Sequence, residues 1–133
     1  MVLQDKLCAL TGAEDGAVFA SGVAALAAVF TTTLNSGDHA IASEVCYSAT
    51  NLLFPEYLPK KYGVEVTLLD TTDTEAVRAA VRPNTKLIHV ETPGNPTTGI
   101  SDLDAIAEIA HKAGALMSVD ATFAGPICIR PLS

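Results

Sequence analysis

The sequence predicts an α/β domain built on a parallel sheet that helices cover on both faces. Three apolar runs of strand length, at 65–70, 86–91 and 115–120, alternate with segments of helical periodicity at 74–81 and 103–114. This alternation is typical of parallel sheets, and strands that are apolar almost throughout are buried on both faces. Ligands of such sheets bind at the carboxyl ends of the strands, so we expect the functional residues there.

The segment before this alternation predicts three more helices and one more strand. The helices are predicted over 3–10, 23–34 and 49–58, and the strand over 39–45. The second of these helices is Ala-rich and apolar nearly all round, so we expect it to be buried, with its first turn near Ser21 to Val23. Pro59 is expected to close the third helix.

The two helices of the alternation carry recognisable start and stop signals. Asp73 is expected to cap the helix over 74–81, which Arg82-Pro83-Asn84 stops. Either Ser101 or Asp102 is expected to cap the helix over 103–114, which ends at Gly114. The side chains expected to point inward are Ala76, Val77, Ala80 and Val81 in the first helix and Leu103, Ile106, Ile109 and Ala110 in the second.

The composition excludes several classes of partner. Of 133 residues, 8 are basic and 15 are acidic, which gives a net charge of −7. Binding to a nucleic-acid backbone or to an anionic membrane surface is therefore not expected. The longest apolar stretch, residues 24–30, is far shorter than the roughly 20 residues that span a membrane. Asp5 and Lys6 interrupt the apolar start that a signal peptide would need.

The cysteines and histidines show no ligand spacing. Cys8, Cys46 and Cys128 are scattered, which predicts reduced thiols in a cytoplasmic protein, and we interpret all three as small core residues. We expect His89 to be half-buried in its strand, and His39 and His111 to lie at the surface. No metal site is predicted.

Ser21-Gly22-Val23 has the outline of a phosphate site. The glycine allows close approach of the backbone, and the start of a helix supplies free N–H groups and the positive end of its dipole. An ordinary helix cap would show the same residues. They match neither the dinucleotide-binding motif nor the P-loop.

Three polar residues follow predicted strands: Tyr47, Asn95 and Asp120. Tyr47 could stack on a planar ligand or simply straddle core and solvent. Asn95 lies in the stiff stretch ETPGNPT, where it could point at one ligand atom or form an Asx turn, and either X-Pro bond there could be cis. Asp120 could bind Mg²⁺, accept a phosphoryl group as in a flavodoxin-like protein, contact a ribose hydroxyl, pair with a cationic ligand or cap the next turn.

The stretches FASGVAAL, ETPGNPT and VDATFA, at their mutual distances, resemble the Cys/Met-metabolism (trans-sulfuration) family of pyridoxal-phosphate enzymes. The family includes cystathionine γ-synthases, cystathionine lyases and methionine γ-lyases. The resemblance covers essentially the whole chain and implies the three-layer, mostly parallel large domain of fold type I, the aspartate aminotransferase type. It implies pyridoxal 5′-phosphate as cofactor, and lyase or transferase activity on a sulfur-containing amino acid by β- or γ-elimination or γ-replacement.

The resemblance also implies a role for each candidate residue. Asp120 would face the pyridine nitrogen of the cofactor and keep it protonated. Tyr47 would stack on the ring and help to activate the substrate amine. Asn95 would lie near the 3-oxygen, and Thr122 against the opposite ring face. The phosphate would be bound at Ser21, Gly22 and Val23.

Other features of the family have no counterpart in these 133 residues. The Schiff-base lysine, the N-terminal arm and the C-terminal substrate domain are not found, so we expect a piece of a longer protein, with residues 1–133 as part of the cofactor-binding large domain. Ala49 stands where methionine γ-lyases carry a cysteine. None of the five lysines, Lys6, Lys60, Lys61, Lys86 and Lys112, occupies the expected place, so the chain alone is expected to be inactive.

The parent protein is expected to be cytoplasmic and to form homodimers or homotetramers. The alternative is a non-catalytic, truncated module that associates with other chains.

Overall fold

A four-stranded parallel sheet organises the chain, of which the computed structural model describes residues 2–132. The strands are β1 (His39–Ser43), β2 (Glu65–Leu69), β3 (Thr85–Glu91) and β4 (Leu116–Asp120), in the order β2-β1-β3-β4. All three pairings are parallel, which confirms the predicted sheet. From β1 the chain goes to β2 on one side of β1, and it then returns to β3 on the other side of β1. The carboxyl ends of β1 and β3 therefore flank a topological switch point.

Helices cover both faces of this sheet. They are α1 (Val2–Thr11), α2 (Gly22–Thr33), α3 (Thr50–Leu52), α4 (Leu58–Tyr62), α5 (Thr74–Ala80), α6 (Leu103–Lys112) and α7 (Gly125–Cys128), and a π-helical segment, Leu53–Tyr57, joins α3 to α4. One core lies on the side of α2, where Phe30 and Phe54 are fully buried against Leu87. The other lies on the side of α5 and α6, where Val77 and Ile106 pack around Ile88. The sheet is therefore the middle of three layers.

The predicted caps are found, and the choice left open for α6 is decided. The Asp73 carboxylate accepts hydrogen bonds from the N–H groups of Glu75 and Ala76, each at 3.0 Å. For α6 the cap is Asp102, whose carboxylate accepts from the Ala105 N–H at 3.0 Å.

Helix α2 is less buried than its composition predicts. Only Phe30 is fully enclosed, whereas Val29, its neighbour in sequence, is 38% exposed. The sheet covers one side of the helix and leaves the other side accessible in the described chain. The expectation of burial was wrong because an all-apolar helix can bury only the side that meets another layer.

We expected Pro59 to close the helix that precedes it, and this expectation was wrong. The helical path runs on to Tyr62 and ends at Gly63, whose φ of 65° is left-handed. The reason lies in the π-helical segment, where the Leu58 N–H reaches back five residues to the Leu53 carbonyl. This wider turn lets Pro59, which has no N–H, enter at the first turn of α4 instead of within a continuous α-helix.

His39 and His89 are both fully buried, which corrects the expectations of a surface and a half-buried residue. The His39 ring nitrogens lie 2.8 Å from Thr85 Oγ1 and 2.9 Å from Thr67 Oγ1, so neighbouring strands satisfy both. His111 is exposed, as predicted.

The cysteines are free thiols, as predicted, but only Cys46 belongs to the core. Cys8 is half-buried and Cys128 is exposed, because α1 has no buried residue and α7 is a single short turn. No helix in residues 2–132 has the length and apolar character required to cross a membrane.

Candidate active site

All seven predicted site residues line one pocket of about 360 Å³ at the carboxyl end of the sheet. They are Ser21, Gly22, Val23, Tyr47, Asn95, Asp120 and Thr122. Three residues not singled out from the sequence, Leu26, Glu91 and Phe123, complete the lining. The pocket lies where β1 and β3 end, so the topology brings together segments that are far apart in sequence.

The N-terminus of α2 lines the pocket. Ser21 is extended and caps the helix: its Oγ accepts from the Ala24 N–H at 3.1 Å, and its carbonyl accepts from the Ala25 N–H at 3.1 Å. The N–H groups of Gly22 and Val23 are left without an acceptor in residues 2–132. A Cβ at Gly22 would meet no atom within 4 Å, so a side chain there would enter open space.

Two loops also line the pocket. Tyr47 lies on the loop after β1, and 45% of its surface is exposed. Asn95 lies on the loop after β3, which contains two cis peptide bonds, Thr92-Pro93 and Asn95-Pro96. Both loops are held by one carboxylate: Glu91 Oε2 accepts from the Tyr47 N–H at 2.7 Å, and Oε1 accepts from the Asn95 N–H at 2.9 Å.

Asp120 lines the pocket from the last position of β4. Its Oδ1 accepts from the Thr122 N–H at 3.0 Å and also from the Thr122 hydroxyl. Its Oδ2 has no donor within the described residues. Asp120 is the register partner of Glu91 on β3, so two carboxylates stand side by side at the carboxyl edge of the sheet.

These two carboxylates make the floor of the site electronegative. Burial raises the pKa of the Cys46 thiol to about 11, and the charges of Glu91 and Asp120 act in the same direction. Burial lowers the pKa of His89 to about 4, although the charge of Asp120 opposes this shift. At neutral pH both groups are therefore uncharged, and neither supplies a cation to the carboxylates.

Glu91 is the site residue that the sequence reasoning missed. It is only 6% exposed. It links Tyr47, which is 44 residues earlier in the sequence, to Asn95, which is four residues later. A signal was available, since Glu91 ends the apolar strand KLIHVE as Asp120 ends ALMSVD. A second acidic strand end on a neighbouring strand predicts a second carboxylate at the same edge of the sheet.

The residues present fit a ligand with a phosphate at one end and a protonated ring nitrogen at the other. Free N–H groups at a helix N-terminus bind phosphate, and a carboxylate stabilises a cation. The Tyr47 ring supplies an aromatic surface between them. None of the five lysines lines the described pocket.

Comparisons with known proteins point to the same chemistry. The family model "Cys/Met metabolism PLP-dependent enzyme" matches residues 1–133. Canavanine γ-lyase from Rhizobium leguminosarum bv. trifolii is 57% identical over 98% of this chain and 32% of its own length. L-methionine γ-lyase from Porphyromonas gingivalis is 41% identical over 98% of this chain and 33% of its own length.

A solved structure agrees with the sequence relatives. The crystal structure of metB from Corynebacterium glutamicum superposes with a TM-score of 0.93 at 42% identity, covering 98% of this chain and 34% of that one. The chain thus spans about a third of the length of the relatives it matches. From the motifs, the pocket and these matches, the chain belongs to the Cys/Met metabolism PLP-dependent enzyme family, whose cofactor is pyridoxal 5′-phosphate.

Proposed function

We propose that the protein carrying this chain is a pyridoxal-phosphate-dependent lyase or transferase, and that residues 1–133 are part of its cofactor-binding domain. The observation that supports this most is that one pocket is lined both by Asp120 and by the N-terminus of α2 with its free N–H groups. The cofactor, when bound, supplies an electron sink for a negative charge that develops on the substrate. The chain supplies the groups that bind and orient it.

Each residue of the pocket has a defined task in this proposal. Asp120 Oδ2, which has no donor in the described residues, would accept a hydrogen bond from the pyridine N–H and so would keep the proton on that nitrogen. The backbone N–H groups of Gly22 and Val23, beside the Ser21 cap, donate to the phosphate. The Tyr47 ring would cover one face of the pyridine and Thr122 the other, while Asn95 would contact the 3-oxygen. The Tyr47 hydroxyl also helps to accept a proton from the substrate amine.

Among the reactions of the family we favour elimination of a group from the γ carbon of an amino acid. Canavanine γ-lyase is 57% identical to this chain, whereas L-methionine γ-lyase is 41% identical. Ala49, near the predicted ring-stacking Tyr47, takes the place of the cysteine of methionine γ-lyases. These features make a canavanine-like γ-substituent a better candidate than methionine.

We propose that the 133 residues alone do not catalyse this reaction. Proton transfer at the substrate requires an amine beside the ring, and the pocket is lined by no lysine of the described chain. The lysine must come from another segment or another chain. We further propose a cytoplasmic, homodimeric or homotetrameric enzyme, since the thiols are free and the site is open on one side.

The test is a substrate comparison with the full-length protein that carries this chain, loaded with pyridoxal 5′-phosphate. Turnover of canavanine, methionine, cystathionine and O-acylhomoserine would be measured under the same conditions. Release of the γ-substituent, fastest from canavanine, is the expected result. Faster turnover of cystathionine or O-acylhomoserine would move the protein to another reaction of the family, and no turnover of any of them would favour a non-catalytic module.

A further inference from the structure

We propose that Glu91 is a positioning residue that holds the ring-binding half of the site in place, an inference that rests on the proposed function. Its carboxylate accepts one hydrogen bond from the loop that carries Tyr47 and one from the loop that carries Asn95, at 2.7 and 2.9 Å. These loops follow different strands, and their two N–H groups are 48 positions apart in sequence. One side chain therefore sets the distance between the two residues proposed to contact the ring.

The arrangement requires two acceptor atoms on one rigid, buried group. Glu91 is 6% exposed, and its own N–H donates to Ser43 Oγ at 3.2 Å, so its backbone is anchored to β1. The carboxylate offers an acceptor to each loop, and hydrogen bonds to a charged acceptor are shorter and stronger than neutral ones. A glutamine of the same shape could accept only one of the two, because its NH₂ group would face the other N–H donor.

Glu91 also relates these loops to the end of the site that holds the ring nitrogen. It is the register partner of Asp120, and the Thr92 N–H donates to the Asp120 carbonyl at 3.0 Å. The β3 loop, the β1 loop and the end of β4 are thus tied together around the position of the ring. Release of either loop would move Tyr47 or Asn95 relative to Asp120.

The phosphate end of the pocket is built independently of Glu91. The N-terminus of α2 is capped by Ser21, and neither hydrogen bond of the Glu91 carboxylate reaches that helix. Loss of the carboxylate should therefore weaken binding of the ring and leave binding of phosphate unchanged. A side chain that merely supported the fold would weaken both.

The experiment uses the 133-residue chain, amide NMR and two ligands. Pyridoxine 5′-phosphate carries the ring and the phosphate but no aldehyde, so it cannot react with exposed lysines, and inorganic phosphate reports the helix end alone. We expect Glu91→Gln to weaken pyridoxine 5′-phosphate about tenfold, the effect of leaving one buried donor unpaired. The dissociation constant of phosphate should change less than about twofold, and the Tyr47 or Asn95 amide proton should shift upfield as its charged acceptor is lost.

Two further variants complete the design. Glu44→Gln makes the same charge change at an exposed position just after β1 and should alter neither dissociation constant. Glu91→Asp keeps the charge but is one methylene shorter, so it should lose affinity for the ring as Glu91→Gln does, and it decides the question if Glu91→Gln fails to fold.

The outcomes separate this inference from the proposed function. Unchanged affinity for pyridoxine 5′-phosphate in the Glu91 variants, or an equal loss for both ligands, would overturn the positioning role alone. If the unsubstituted chain bound pyridoxine 5′-phosphate no better than phosphate, the proposed ring site would be wrong, and the positioning role would fall with it.

Discussion

A carboxylate at the end of an apolar strand costs free energy unless donors or cations meet its charge. One oxygen of Asp120 already accepts hydrogen bonds: Oδ1 accepts from the Thr122 N–H and hydroxyl, as in an Asx turn. The second oxygen lines the pocket without a donor in the described residues. Two of the interpretations that the sequence left open, a cap and a partner for a cationic ligand, are therefore compatible in one side chain.

Substitution of Asp120 by asparagine separates these two tasks. The Oδ1 of an asparagine still accepts from Thr122, so the urea midpoint of Asp120→Asn should equal that of the unsubstituted chain. Its charge is lost, and a hydrogen bond to a charged group is worth about 1.5–3 kcal/mol, so pyridoxine 5′-phosphate should bind about tenfold or more weakly at pH 7. Calorimetry or NMR titration would measure this. Asp104→Asn, exposed on α6, is the matched control, and equal losses in both variants would argue against contact with the ring nitrogen.

His89 makes a contribution to stability that depends on pH. Its ring packs against both Phe30 and Phe54, with Nδ1 2.8 Å from Ser118 Oγ, while Nε2 is buried with no hydrogen-bond partner in the described chain. Burial lowers its pKa to about 4, below the 6.5 that is usual for histidine. The unfolded chain takes up a proton below pH 6.5 and the folded chain does not. Stability from this group is therefore present above pH 6.5 and is lost as the pH falls toward 4.

Replacement of His89 by phenylalanine should remove this pH dependence. By the linkage relation, protonation of His89 in the unfolded state lowers the free energy of unfolding of the unsubstituted chain by about 2 kcal/mol between pH 7 and pH 5. In the His89→Phe variant, the decrease over the same pH range should be smaller by about that amount. Urea unfolding at the two pH values measures the difference. His39, whose pKa is also lowered by burial, is present in both proteins and cancels. Equal losses in the two proteins would mean that His89 takes up its proton while folded.

Single residues also show where prediction from the sequence stops. Asp120, Tyr47 and Asn95 could be identified because each follows a recognisable strand. The burial of His39 could not, because the hydroxyls that satisfy it come from Thr67 and Thr85 on neighbouring strands. The task of Glu91 likewise depends on an N–H 44 residues away. Local patterns locate side chains, but the partners that make a buried polar group stable are tertiary.

At the scale of elements, the N-terminus of α2 combines stability and ligand binding in adjacent residues. Ser21 satisfies the Ala24 N–H, whereas Gly22 keeps the approach to the free N–H groups open. The stability of the helix and the binding of a ligand should therefore respond to different substitutions. This follows from the position of each side chain, since the Ser21 Oγ bonds back to the helix and a Cβ at Gly22 would project into open space.

Gly22→Ala should weaken binding of inorganic phosphate at least fivefold, because the added methyl group occupies the space in front of the N–H groups. The φ of Gly22 lies outside the range that strains other residues, so its free energy of unfolding should change by less than about 0.5 kcal/mol. Asp73→Ala is the control: it removes the cap of α5 and should cost about 1 kcal/mol without affecting phosphate. Phosphate titration and urea unfolding of the three proteins measure both effects. Unaltered phosphate affinity in Gly22→Ala would place the anion elsewhere.

The segment from α3 to α4 shows how far the helical elements could be predicted. The alternation and the caps located α5 and α6 within a few residues, because those helices are regular. The path through Pro59 was not predictable by the same rules, because a π-helical turn changes the hydrogen-bond partner of Leu58. A proline marks a break in the i to i−4 pattern, but whether the chain stops or widens there depends on packing, here the burial of Phe54 and Leu58.

At the scale of the whole molecule, the strand order explains why one pocket collects residues from 21 to 123. The connection after β1 leads to one side of the sheet and the connection after β3 leads to the other side. The loops that follow these two strands therefore diverge and leave a crevice at the carboxyl edge. The alternation of strands and helices predicts the parallel sheet and the edge at which ligands bind, whereas the strand order is a finding of the structure. This architecture provides a place to bind pyridoxal 5′-phosphate, but it does not by itself provide the amine that the chemistry requires.

The last prediction concerns that amine. All five lysines are exposed, on α1, α4, α6 and at the start of β3, and none lines the candidate site. Lys60 and Lys61 line a second depression, which Val23 also lines. Treatment of the 133-residue chain with pyridoxal 5′-phosphate and borohydride should therefore give only low, scattered labelling, as read by intact mass and peptide mapping. Lys61→Arg should change the pattern no more than Lys112→Arg does. A single stoichiometric adduct that disappeared in Asp120→Asn would show instead that one of these lysines reaches the ring, and the chain would then hold its cofactor covalently without help from any other segment.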